Sequence, residues 1–473
     1  MNLGKLASFA LGPIGTAAVS LVTVPAIAWL FTPDDVGRIA MLQVGISFSL
    51  LVFSLGLDQA YVREFHSHAN TAGLFKTCIT PGLVLLVLVL VAQSLWPYAL
   101  AQGLFGEADL RYSALAALCI VAAFITRFLS LILRMQERGL AFSLSQLLPK
   151  IGFLLVIGAI VLAADRHNLM ELLVAHTVAI TGTTLALGWN TRCEWARRAA
   201  ALAPVQRGEL LRFGLPLVLG GLAFWGMTSL DRLFLRHFAS FDALGLYAIS
   251  ANFAGAATIL QSIFSTLWAP AAYKRHTSGE APAAIQHATG HVLAAVVFLF
   301  ALAGLFSWVL VFLLPARYHD SQHILLACLA YPLLYTLSEA SGIGLGIARR
   351  SGPAMLATVA ALCANIALNS WLVPRHGAAG AASATALSFL VLLVLRTELA
   401  TRYWVPAPRA RLYIFAGGCT ALAVAHALAG PQYPRAFIAL WGLTLLISLY
   451  SFRNSLTELL KWLRIASHRP TKP

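Results

Sequence analysis

The sequence predicts an all-α, polytopic membrane fold of about fourteen transmembrane helices, and three observations carry that prediction. Of the 473 residues, 59% are hydrophobic and 11% charged, whereas soluble domains carry about 25% charged residues. Apolar runs of the ~20 residues that a bilayer span requires recur along nearly the whole chain. Lys and Arg gather in alternate connections between those runs, as the positive-inside rule demands. A soluble protein is excluded, and the net charge of +15 follows from topology rather than from a nucleic-acid partner.

The first run, 6–31, follows Lys5 and contains Ala26-Ile27-Ala28, a combination seen in signal peptides. It exceeds the 7 to 15 residues of such a core and carries Pro13 and Pro25, so it is expected to stay as the first span. The next runs are 37–57, 79–101, 112–133, 144–163 and 169–190. A basic connection, 191–212, then leads to 213–230, 244–268, 288–314, 323–347, 354–373 and 377–399, with 411–429 and 435–452 at the end. With the N-terminus in the cytoplasm, only Arg38, Arg111, Arg166, Arg232, Arg236, Arg317, Arg375 and Arg435 fall on the outer side. Arg127 and Lys150 lie inside spans, and the remaining Lys and Arg face the cytoplasm, together with both termini.

The organisation read from this is a first lobe (1–200), a second lobe (201–402), two additional spans (403–452) and a basic cytoplasmic tail (453–473). Repeated motifs support two related lobes. Leu11-Gly12-Pro13 and Asp35-Val36-Gly37 early in the chain are echoed by Gly214-Leu215-Pro216 and Asp242-Ala243-Leu244-Gly245 after the basic connection. Tyr61-Val62-Arg63 has a counterpart in Tyr273-Lys274-Arg275. Parallel repeats of this kind place a substrate path between lobes that rock against each other.

The six cysteines are scattered without CxxC or zinc spacing and read as small core residues. No GxxxxGK[ST] or HExxH occurs, so no nucleotide-driven motor resides in the chain and no cofactor is expected. Past the final span, 456–465 alternates apolar residues with Lys461 and Arg464, the pattern of an amphipathic helix on an anionic membrane surface.

Ionisable groups inside spans are functional candidates, because burying one costs roughly 2.5–3.5 kcal/mol even on insertion scales. Arg127, Lys150 and Glu339 meet that description; snorkelling of the cations and hydrogen bonding of a protonated Glu339 are the competing readings. Asp58 with Arg63, and Asp231 with Arg232, place a carboxylate near a guanidinium at span ends, as catalytically idle helix-end pairs also do. Asn365 and Asn369 share a helix face, and Asn252 lies in the eighth span; such amides also join helices.

In Asp35-Val36-Gly37-Arg38, Leu55-Gly56-Leu57-Asp58-Gln59-Ala60-Tyr61-Val62-Arg63, Ser229-Leu230-Asp231-Arg232, Leu244-Gly245-Leu246-Tyr247, Trp268-Ala269-Pro270 and Gly377-Ala378-Ala379-Gly380, the chain resembles the polysaccharide exporter and O-antigen (Wzx-type) flippase family of the multidrug/oligosaccharidyl-lipid/polysaccharide (MOP) exporter superfamily. The resemblance implies two six-helix lobes and a cargo of undecaprenyl-diphosphate-linked oligosaccharide, moved across the bacterial inner membrane among membrane lipids and beside polysaccharide polymerase or assembly proteins. For that cargo Arg127, Arg63, Arg232 and Lys150 would hold the diphosphate, Asn252, Asn365 and Asn369 the sugars, and Asp58, Asp231 and Glu339 would couple transport to an ion. One departure is that nothing between Lys5 and Asp34 is charged, unlike the lipid II flippase branch with its first-span arginines, which argues against lipid II as cargo. A MATE-like exporter of cations is the alternative among transporters. A polysaccharide polymerase or ligase is the alternative among enzymes, and the short outward connections argue against it.

Overall fold

The computed structural model describes residues 3–68, 70–163, 168–197, 204–279, 282–406, 408–455 and 457. The amphipathic segment expected at 456–465 lies outside them, apart from Thr457. All regular structure among the described residues is helical. In order the helices are α1 (Leu3–Leu30), α2 (Pro33–Phe53), α3 (Leu57–Glu64), α4 (Thr71–Gln93), α5 (Ala99–Phe105), α6 (Leu110–Met135), α7 (Gly139–Ala163), α8 (Leu169–Asn190), α9 (Arg192–Trp195) and α10 (Pro204–Phe238). There follow α11 (Phe241–Ala254), α12 (Ala257–Thr277), α13 (Pro282–Phe306), α14 (Val309–Leu313), α15 (Ser321–Ser341), α16 (Ile343–Ile347), α17 (Ser351–Tyr403), α18 (Ala410–Ala429) and α19 (Pro434–Ser451).

Among the described residues twelve helices are long and apolar enough to cross a bilayer, and α11 with α12, bent by 48°, makes a thirteenth when the pair is taken as one span. The 53-residue α17 would measure ~80 Å as one rod, against ~30 Å of hydrocarbon. It is interrupted at Gly377, whose φ of 51° and ψ of −126° are not helical, and so supplies two spans. The fourteen expected spans are all present, with shifted ends. The third begins eight residues before its apolar run because the Asn70 side chain accepts from Gly73 N at 2.8 Å and starts the helix there. The seventh, α10, continues through polar residues at both ends, and the ninth, α13, stops at Phe306 rather than near 314.

Local chemistry fixes several of these ends. Thr32 caps α2 through Asp35 N, with Pro33 in the first turn. Asn168 and Glu171 form a capping box on α8. Asp109 caps α6, and Arg111, donating from both its backbone N–H and its guanidinium, holds that carboxyl below its usual range. Large apolar side chains such as Leu88, Leu155, Leu219, Leu356 and Leu446 are exposed, which suits surfaces whose solvent is lipid. Four cysteines are buried as expected; Cys193 and Cys363 are exposed instead, the former on the four-residue α9 and the latter on an outward face of α17.

The chain forms two compact units, Met1–Ile249 and Ser250–Pro473. In the first, Leu57, Tyr61, Phe75, Cys78, Phe124 and Phe128 anchor an apolar core. Its α2 meets α10 near one end and α11 near the other. At one end a Cβ on Gly56 would collide with the Gly214 carbonyl oxygen, and Gly56 also has φ 69°, a backbone state that favours glycine. At the other end the two repeated motifs meet: a Cβ on Gly37 would strike the carbonyl oxygen of Phe241, and one on Gly245 that of Pro33. Pro33 precedes Gly37 by the same four residues as Phe241 precedes Gly245, so the contact is reciprocal, as across a two-fold axis.

In the second unit α15 packs against α12, α13, α17 and α18, while α19 lies on α13. The Trp441 ring stacks on Phe300 at 6.4 Å, in space that only a glycine at 304 leaves open. Trp441 Nε1 donates to His426 Nδ1 at 3.2 Å, and His426 Nε2 lies 3.3 Å from His323 Nδ1. Because an indole nitrogen only donates, His426 must carry its proton on Nε2 and pass a hydrogen bond on to His323. The last two spans are thereby fastened to α15 by a directed chain of buried donors.

Candidate functional site

One polar feature within the spans of the first unit is built at the break between α2 and α3. Leu55 and Gly56 both take left-handed φ, 53° and 69°, which ends α2 and starts α3 with Asp58 in its first turn. That carboxylate, 11% exposed, accepts from Arg127 Nη2 of α6 at 2.8 Å and from Gln59 Nε2 at 2.9 Å. The pairing offsets the cost of each charge in a low-dielectric setting. Arg127 is thus paired rather than the bare cation its position suggests, yet its side chain stays 44% exposed. Its Nε and Nη1 have no hydrogen-bond partner among the described residues, so part of the guanidinium remains open to an anion.

The sequence neighbours Asp58 and Arg63 do not pair. Five residues apart on a helix, they point in different directions, and Arg63 turns to Glu64 at 3.3 Å and to the Phe213 ring at 4.4 Å. Asp231 and Arg232, adjacent in sequence, also diverge. Asp231 is buried and accepts from the Tyr247 hydroxyl at 2.6 Å, whereas Arg232 donates to the Thr228 carbonyl at 3.1 Å. Lys150 is exposed and bridges α7 to α1, donating to the Ser20 hydroxyl and to the Thr16 carbonyl at 3.4 Å. No carboxylate pairs with it among the described residues.

In the second unit, Asn365 and Asn369 are fully buried, and Asn369 Nδ2 donates to Asn365 Oδ1 at 3.1 Å within the same helix. That bond lies within one helix and does not itself join two. Asn252 is exposed beside the bend between α11 and α12. Glu339 accepts from the Ser265 hydroxyl of α12 and lines a cavity of about 510 Å³. The cavity is bounded by Ser265, Trp268 and Tyr273 of α12, by the Gly342–Gly346 run, by Arg349 and Arg350 of the turn into α17, and by Arg396.

Sequence reasoning found Glu339 but not its surroundings. Arg349, Arg350 and Arg396 read as topological charges at span ends. The usable signal was the alternation of glycines at 342, 344 and 346 directly before Arg349-Arg350, where small residues leave room beside cations.

Comparison with known proteins agrees with this architecture. The model of the polysaccharide biosynthesis protein family matches residues 3–274. No curated protein matches the sequence. The fold is similar to that of the lipid II flippase MurJ in an inward closed conformation, with a TM-score of 0.69, 10% identity, and coverage of 95% of this chain and 99% of that one. It is also similar to an inward-facing multidrug resistance MATE family transporter of the MOP superfamily, with a TM-score of 0.59, 14% identity, and coverage of 82% and 94%. With a match over more than half its length, many apolar helices and a MOP-type fold, the chain belongs to the polysaccharide biosynthesis protein family of multi-pass membrane proteins.

Proposed function

We propose that the protein flips an undecaprenyl-diphosphate-linked oligosaccharide from the cytoplasmic to the outer leaflet of a bacterial inner membrane, by alternating access and without covalent chemistry. The observation that carries this reading is the half-exposed Arg127 guanidinium within α6, held by Asp58 on one edge and open on the other. A diphosphate is a bulky anion, and a planar guanidinium with free N–H groups recognises it through parallel charge-assisted hydrogen bonds. Family membership supports the polysaccharide context, and the likeness in fold to a lipid II flippase supports a lipid-linked cargo. Both termini are cytoplasmic in this proposal, the repeats 1–200 and 201–402 form the moving lobes, and a polymerase takes up the flipped product. Asp58 competes with the cargo for Arg127, so binding and release are both within reach of one exchange of hydrogen bonds.

The test is translocation of a fluorescent undecaprenyl-diphosphate oligosaccharide in proteoliposomes. Wild type flips it, Arg127→Ala abolishes flipping, and Arg127→Lys retains part of it. Absence of flipping by folded wild type overturns the assignment, and equal flipping by all three removes Arg127 from the path.

A further inference from the structure

The cavity of the second unit carries more positive charge than its one carboxylate compensates. Arg349, Arg350 and Arg396 line it with one carboxylate, Glu339, and none of the three forms an ion pair among the described residues. Arg350 lies over the Tyr403 ring at 5.5 Å, and Arg396 lies over Tyr335 at 5.8 Å and donates weakly to Ser338 Oγ at 3.3 Å. These contacts position the guanidiniums without neutralising them. Two donors of the lining, Arg396 Nε and Trp268 Nε1, are buried and have no hydrogen-bond partner among the described residues, a state that native structures rarely leave unanswered. The first turn of α17, which contributes Ser351 and Ala354 to the wall, has no side-chain cap on its N–H groups, and free amides at a helix start attract anions. Arg349 takes a left-handed φ of 55°, a backbone state unfavourable for a non-glycine residue, and this is the state in which the turn brings it to the cavity wall.

We propose that this cavity binds a phosphate or diphosphate ester, held by Arg349, Arg350 and Arg396 and by the indole N–H of Trp268. Three forked cations, an indole donor and a helix start supply more donors than a single carboxylate can use, and they suit a multiply charged tetrahedral group. The volume of about 510 Å³ is in the range that holds a small organic ligand, so there is room for a substituent beside the phosphate. The Trp268 ring, stacked on Phe264 at 5.5 Å, offers an apolar face for that substituent. Glu339, fixed by Ser265, keeps the anion toward the arginine side. The same phosphate chemistry could arrive as a lipid headgroup or as a free solute. The lipid-headgroup case extends the flippase reading; the free-solute case stands without it.

The experiment uses the full chain purified in detergent and, separately, in nanodiscs. Equilibrium dialysis with radiolabelled inorganic pyrophosphate probes the free anion, and undecaprenyl diphosphate in the nanodisc probes the headgroup. Wild type binds at least one probe saturably at one site per chain. Arg396→Ala and Arg349→Ala each weaken binding about tenfold or more, and Trp268→Phe, which removes the indole N–H while keeping an aromatic ring, weakens it about fivefold. Arg375→Ala, whose guanidinium is occupied by the Trp371 carbonyl at 2.7 Å, leaves binding unchanged. Monodisperse elution and unchanged melting of each variant guard against loss of fold. Binding of both probes assigns the site to the phosphate group itself, and binding of the lipid form alone assigns it to a headgroup. Failure of folded wild type to bind either probe, or binding indifferent to all three substitutions, overturns the proposal. Translocation assayed on the same preparations keeps the two readings apart: anion binding without flipping overturns the flippase and spares the cavity site, and flipping without anion binding does the reverse.

Discussion

Each unit holds a group of arginines, and the two groups are treated in opposite ways. In the first, Arg38 meets Asp34 and Glu107, Arg63 meets Glu64, Arg111 meets Asp109 and Arg127 meets Asp58. In the second, Arg409 meets Glu398, but Arg349, Arg350 and Arg396 gather around a cavity without an ion pair among the described residues. Backbone packing also differs from site to site: a Cβ on Gly56 of the first unit would strike the Gly214 carbonyl, whereas one on Gly352 of the second, next to the cavity-lining Ser351, would meet nothing within 4 Å. The difference teaches that charge inside a membrane protein can be settled within the fold, where it bears on stability, or left for a visitor, where it bears on binding.

The largest expected effect tests the tight side of that contrast. Gly56→Ala combines a left-handed φ with a collision against Gly214 and is expected to cost about 3 kcal/mol or more; Gly352→Ala stays within about 0.5 kcal/mol. Thermal melting of the purified protein checks both, and equal melting would dissolve the comparison. Next comes the ion pair. Asp58→Ala leaves Arg127 without its carboxylate and costs about 2 kcal/mol, less than a fully buried pair because the guanidinium is half exposed. The double variant Asp58→Ala/Arg127→Ala should be more stable than additivity allows, and a strictly additive cycle would show no coupling. Trp441→Phe deprives His426 Nδ1 of its donor and is expected to lower stability by about 1 kcal/mol, read from the same melting curves. Smallest in stability is Glu339→Gln, under about 0.5 kcal/mol, since an amide oxygen still accepts from Ser265. It sharpens the comparison through binding instead: removal of the one negative charge should tighten pyrophosphate binding severalfold, and weaker binding would place Glu339 among the ligand's partners.

Much of the architecture was legible in the sequence because the bilayer imposes one rule on every span. Apolar length and alternating basic connections locate fourteen crossings, including the two that α17 merges across Gly377. Ends were less legible where a polar cap, such as Asn70, starts a helix ahead of its apolar run. Arg127 could be picked out as an intramembrane charge, but Asp58 as its partner could not. That pair depends on how α3 and α6 come together, and the sequence offers only neighbours such as Arg63, which lies on another face of its helix. The cavity arginines were hidden for a related reason, since Arg349 and Arg350 obey the topology rule as well as any loop charge does.

The meeting of the two repeated motifs has a consequence for substitution. Gly37 touches the residue four before Gly245, and Gly245 touches the residue four before Gly37, so each copy of the motif is at once the socket and the plug. Neither motif therefore has a packing requirement of its own: a side chain added at either 37 or 245 pushes on the backbone of the other copy, and a change in either motif is felt by both.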